Sequence, residues 1–202
     1  MLESQWLGAL SLYRNRSHSG VVMDIIESAK QRIQREVTDI ENRTDLTDDQ
    51  KRSRIIHIFS ATCAAVAVQP IPFADIFVLT PIQAYMGTRL SAIRGMPLSE
   101  KEAKDLVVEI GGVVGLGMIA QQIALGLYKT GLPFLAGFTT IPLVYGLTYA
   151  IGRVMDLYLE KKERGQTMSQ ADMRAAWAKA REEGKQQAKT AKAEVMERKD
   201  QL

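Results

Sequence analysis

Apolar side chains recur at helical spacing along most of this chain. Val22, Ile25, Ile26, Ala29, Ile33, Val37 and Ile40 form one stripe, which predicts a helix over about 21–42 with its charges on the other faces. A shorter stripe of Trp6, Leu7 and Leu10 predicts a small amphipathic helix over 2–13, and Arg14 to Gly20 reads as a linker. Thr47 and Gln50 have the spacing of a cap and its reciprocal partner, so the chain should restart there. The helix then enters an apolar run, Ile55 to Val68, interrupted by His57, Ser60, Thr62 and Cys63. Pro70 and Pro72 end it. A second apolar helix is expected from about Phe73 to Gly95, with Pro81 marking either a kink or a fresh start.

Ser99-Glu100-Lys101-Glu102 is a capping box, and the helix after it is expected to reach about Tyr128. Its middle, Gly111 to Gly117, is rich in glycine. Each glycine costs a water-exposed helix about 1 kcal/mol relative to Ala, so close helix packing is their expected use. Gly111 and Gly115 make a GxxxG pair; Gly112 and Gly152 are further packing candidates. From Leu132 to Gly152 no side chain is ionisable except two tyrosines. About 20 apolar residues are needed to cross a bilayer, so this run is just long enough, although Pro142 lies inside it. Ser169 caps a last helix of strong helix formers, with Gly184 its weak point. Its stripe of Met173, Trp177, Ala180, Ala188, Ala191 and Val195 is thin, which predicts a solvated or partner-seeking helix.

The pattern predicts an all-α fold: a helical bundle on two apolar hairpins, with amphipathic N-terminal helices and a long polar C-terminal helix. The expected divisions are 1–45, an apolar core over 46–164 and a charged tail over 165–202. The hairpins would be Ile55–Val68 with Phe73–Met86, and Leu106–Tyr128 with Leu132–Val154. Charges gather at their bases, at Arg54, Arg89, Arg94, Lys101, Lys104 and Arg153. That arrangement fits the positive-inside rule, with both termini on the cytoplasmic face of a bacterial inner membrane. A soluble cytoplasmic bundle has the same apolar centre, and Gln121 with Gln122 suits it better than lipid does.

Composition changes this picture little. At 46% apolar and 24% charged the chain is not of the disordered class. The net charge of +3 comes entirely from 159–202, with eleven basic and eight acidic residues, too mild a surplus for a nucleic-acid footprint. Cys63 is the single cysteine, which excludes an intrachain disulfide. The first residues lack the basic and apolar regions of a secretory signal.

Little in the chain carries chemistry. Gly111–Gly117 lacks the Gly-Lys-Ser/Thr of a phosphate-binding loop. His57 and Cys63 have no second ligand pair, which argues against zinc. No catalytic residue, metal or cofactor is predicted. Asp75, Gln83 and Glu109 are polar residues in apolar surroundings, where such groups often mark a pathway or a partner contact. For Asp75 the alternative is compensation of its helix dipole, and Glu109 lines up with Lys101 and Asp105 on an interfacial face.

Two ordered motifs add a resemblance. Pro70-Ile71-Pro72-Phe73-Ala74-Asp75 with Leu79, Ile82, Gln83 and Met86, followed by Thr148-Tyr149-Ala150-Ile151-Gly152-Arg153, resembles the bacterial domain of unknown function 697 over about 50–160. That domain often follows a small GTPase domain, and its members are commonly regarded as membrane proteins. The resemblance implies a stand-alone copy, since no GTPase motif is present, and supplies no activity or catalytic residues. The expectation is a non-enzymatic membrane-associated module contacting lipid and a protein partner, a GTPase in trans or another copy of itself. A soluble helical adaptor or oligomerising scaffold is the alternative, and a small channel-like assembly the third reading.

Overall fold

The computed structural model describes residues 27–68, 74–115 and 133–200. The expected helix over 2–13, the start of the 21–42 stripe and the segments 69–73 and 116–132 lie outside the described residues. Six helical stretches and no strand occur among those described. They are α1 (27–41), α2 (Asp48–Val68), α3 (Ala74–Ile93), α4 (Glu100–Val114), α5 (Pro133–Glu163) and α6 (Gln170–Lys199).

Local chemistry explains most of these boundaries. Ala29, Ile33 and Val37 of α1 are buried one turn apart, and the Lys51 ammonium donates to the Glu41 carbonyl at its C-terminus at 2.8 Å. Thr47 and Gln50 bond reciprocally at the start of α2, as Ser99 and Glu102 do at α4 and Ser169 and Asp172 at α6. α3 and α5 end in the same way. The N–H groups of Gly95 and Met96 donate back to Ala92 and Ser91, and those of Gly165 and Gln166 to Lys162 and Lys161. Gly95 and Gly165 adopt φ of 70° and 66°, the left-handed conformation this stop requires. Pro81 and Pro142 both lie inside continuous helices, so neither splits its helix.

α2 and α5 form the centre. From Ile55 to Ala67, α2 is buried on all sides except at His57, and α5 buries Tyr145, Ile151, Met155 and Leu159 fully. The two run antiparallel: Arg52 meets Asp156, and His57 meets Tyr145. α3 runs parallel to α5, with Gln83 at Thr148 and Arg94 at Asp156. α2 and α3 thus form the first expected hairpin.

Most of the second expected hairpin, including its turn, falls on 116–132, outside the described residues. α4 stops at Val114 rather than Tyr128, because Gly115 turns out of the helix at φ 95°. It packs on α3 through Ala103 beside Gly87, while its Val113 carbonyl accepts from Arg174 Nε of α6 at 2.9 Å.

A larger departure concerns the tail. α6 makes the most extensive packing of any helix pair, running antiparallel along α5. It buries Met173, Trp177, Ala180, Gly184, Ala188, Ala191, Val195 and Arg198. The stripe is thin because its residues are small, and small residues let two backbones approach. A Cβ on Gly184 would lie 2.9 Å from Gly146 Cα and 2.9 Å from Tyr149 Cβ. The weak point in propensity is therefore a close crossing of α5 and α6. Among the described residues no helix is long and apolar enough to cross a membrane.

Candidate functional site

The polar residues of α2, α5 and α6 meet in one connected chain of contacts. The Tyr145 hydroxyl lies 2.5 Å from His57 Nδ1, and His57 Nε2 lies 2.8 Å from Glu194 Oε2. Arg198, 5% exposed, donates to Glu194 Oε1 from Nη2 at 2.7 Å and to Glu36 of α1 at 2.6 and 2.8 Å. Its Nη1 reaches Thr62 Oγ1 at 3.5 Å. In the neutral ring, an ionised Glu194 favours the proton on Nε2 and leaves Nδ1 to accept the Tyr145 hydroxyl.

Electrostatics shifts both carboxyls and the phenol of this chain. The hydrogen bond to His57 pulls the Glu194 carboxyl down to about 2, against the opposing effect of burial and with help from Arg198. Burial raises Glu36, but Arg198 and Arg32 outweigh it and leave the group below its ordinary value. Burial pushes the Tyr145 phenol up, and the nearby Glu194 charge adds to that. A depressed carboxyl stabilises the fold above its ordinary pKa of 4.5 and loses that contribution as pH falls toward 2. Glu194→Gln should therefore be less stable than the wild type at pH 6, and the gap should narrow steadily as pH falls from 4.5 toward 2. Urea denaturation midpoints across that range check this; a gap that stays constant contradicts the assignment.

A second node lies deeper. Gln83 is buried and donates from Nε2 to Thr148 Oγ1 at 3.2 Å, joining α3 to α5. Thr148 also shares a hydrogen bond with Cys63, whose thiol is pushed up to about 12 by complete burial. Such a thiol stays protonated at neutral pH and is a poor nucleophile. Ser60 and Thr62 satisfy their hydroxyls by donating to the Ile56 and Ile58 carbonyls one turn back. A third cluster joins the opposite end: Asp156 of α5 lies 2.9 Å from both Arg52 Nε and Arg94 Nε.

The residues singled out in sequence fall in different places. Gly152 is buried where α5 crosses α2 and α3, and a Cβ there would lie 2.9 Å from Ile56 Cγ1 and 3.0 Å from Met86 Sδ. Gly111 is half-buried and Gly112 exposed. Among the described residues a Cβ on Gly112 or Gly115 meets nothing within 4 Å, and the segment 116–132 that follows lies outside them. Gly115 ends α4 at φ 95°. Glu109 is exposed on α4, outside the apolar core in which it was expected. Asp75 is the second residue of α3, and its side chain lies outside the described residues.

Tyr145, Glu194, Arg198 and Glu36 escaped sequence reasoning. Their partners are 88, 137 and 162 positions apart, beyond the reach of periodicity within one helix. The available signals were a histidine inside an apolar run and a Glu-Arg pair one turn apart on the tail.

Chemically the Tyr145–His57–Glu194 line can hold and relay a proton. Neither of two surface hollows opens onto it: one of about 650 Å³ is lined by α1 residues such as Gln31 and Arg35, and one of about 290 Å³ by Glu41, Lys51 and Arg89. No group of three or more metal-ligating side chains occurs among the described residues; His57 and Cys63 face different partners.

Comparison with known proteins agrees with the motifs. The chain is 30% identical over 148 residues to magnetosome membrane protein 22 of Magnetospirillum gryphiswaldense, covering 72% of this chain and 76% of that protein. No solved structure matches it. A family model described as a domain of unknown function (DUF697) matches residues 31–173, from within α1 to the first turn of α6. The chain belongs to the DUF697 family.

Proposed function

We propose that this chain is a non-enzymatic, membrane-associated helical module that acts by contact with lipid and a protein partner at the cytoplasmic face of a bacterial inner membrane. The observation that carries this reading is the stretch Leu132–Gly152, which has no ionisable side chain except its tyrosines. A relative named as a membrane protein supports it.

A specific observation favours a second reading, the soluble adaptor. α6 lies along α5 and turns Lys179, Glu182, Lys189 and Lys192 outward. Charges at that density do not enter hydrocarbon, so the docked bundle is not itself a transmembrane form. The full chain expressed in bacteria separates the two. On the membrane reading it pellets with membranes, resists a carbonate wash and floats with vesicles of phosphatidylcholine and phosphatidylglycerol. Recovery as a monodisperse species that neither pellets nor floats would overturn it in favour of the adaptor.

A further inference from the structure

Ala61, Ala64 and Ala65 of α2 and Ile141 and Tyr145 of α5 form an apolar cluster separate from the main core. It is closed by Ala188, Ala191 and Val195 of α6. Beneath the distal half of α6, then, lies a buried face contributed by the uncharged stretch of α5 and the apolar run of α2. Above it the helix turns a charged face outward.

The two halves of α6 are held differently. The proximal half is anchored by Met173 and Trp177 in the main core and by the ion pair of Lys161 with Asp172 at 2.8 Å. The distal half contributes two alanines and one valine, which bury little apolar area. It is also held by the clasp of Glu194 and Arg198 on His57, Thr62 and Glu36. Between the halves sits Gly184, the one glycine inside this helix and its residue of lowest helix propensity. The family match also stops at residue 173, so this helix is almost wholly an addition to the matched domain.

We propose that residues 184–199 are a releasable strap over a lipid-binding face formed by α2 and α5. The inference rests on the membrane reading above and adds how that surface is masked. With the clasp closed, the apolar face is covered and the charged face of α6 is presented. With the clasp open, the chain hinges at Gly184 and the face around Ala61, Ala65, Ile141 and Tyr145 is free to meet acyl chains. The occupant is lipid rather than a second protein because the uncovered α5 segment belongs to the chain's longest uncharged run.

The test uses the full chain and two clasp variants, Arg198→Ala on the strap and Glu36→Gln beneath it, with Lys189→Ala on the exposed face as control. Hydrogen exchange without lipid reads opening, and flotation with phosphatidylcholine–phosphatidylglycerol vesicles reads binding. Expected are faster exchange in 185–199 with 150–160 still protected, and a bound-to-free ratio raised about tenfold or more in both clasp variants but not the control. Exchange that rises across the whole bundle together would overturn the strap, showing α6 to be an integral helix. Flotation of the wild type with no gain in the clasp variants would also overturn it, while leaving the membrane reading intact. Selective opening with no flotation of any variant would remove both the lipid-binding face and the membrane reading.

Discussion

Asp156→Ala is expected to lower the free energy of unfolding by roughly 3–5 kcal/mol. Asp156 is 6% exposed and sits between two guanidinium groups, with Arg52 Nε and Arg94 Nε each 2.9 Å from its Oδ1. The Arg94 side chain is 6% exposed and that of Arg52 is 12% exposed, so neither is well hydrated once its counter-ion is gone. Arg94 keeps Glu163 at 3.0 Å and Glu160 at 3.7 Å, both nearer the surface. Arg52 keeps an exposed contact with Asp49 at 3.4 Å. The loss therefore falls mainly on the joint between α2 and α5. Urea denaturation followed by helical circular dichroism measures it; a loss under about 1 kcal/mol would mean that water screens the cluster as it screens a surface pair.

Gly152→Leu is expected to cost about 3 kcal/mol or more, whereas Gly112→Leu should be neutral or slightly stabilising. At Gly152 even a methyl group would press on both Cγ atoms of Ile56, at 2.9 and 3.0 Å, and on Met86 Sδ at 3.0 Å. Ile56 and Met86 are fully buried, so a leucine has nowhere to displace them. Gly112 is exposed, and among the described residues a methyl group added there would meet no atom within 4 Å. Losing glycine at that position favours the helix. Thermal unfolding of the two variants decides the matter. Equal midpoints would mean that α5 does not pass α2 as closely as these distances require.

Helix starts and stops were legible because they are local. Thr47 with Gln50, Ser99 with Glu102 and Ser169 each cap a helix through atoms three residues apart, and Gly95 and Gly165 stop one by conformation alone. Packing was less legible, since the same residue type serves opposite ends. Gly115 looks like half of a GxxxG face but leaves the helix at φ 95°, while Gly184 looks like a flaw and is a point of close approach to Gly146. Apolar periodicity ranks a position by side-chain size, so Ala180, Ala188 and Ala191 counted for little, although smallness is what lets α6 lie against α5. The polar chain from Tyr145 to Glu36 was invisible for a further reason. Each member taken alone is an ordinary helix residue, and only tertiary proximity joins them.

Cys63 has a practical bearing on all of this. Its sulfur is fully enclosed between α2 and α5, and burial pushes its thiol up to about 12. An alkylating reagent can meet it only after the central helices separate, because the folded state offers neither access nor thiolate. With no other cysteine in the chain, the labelling rate counts those separations one molecule at a time. The chain therefore carries its own kinetic probe of deep opening, silent while only α6 lifts and informative once the centre itself comes apart.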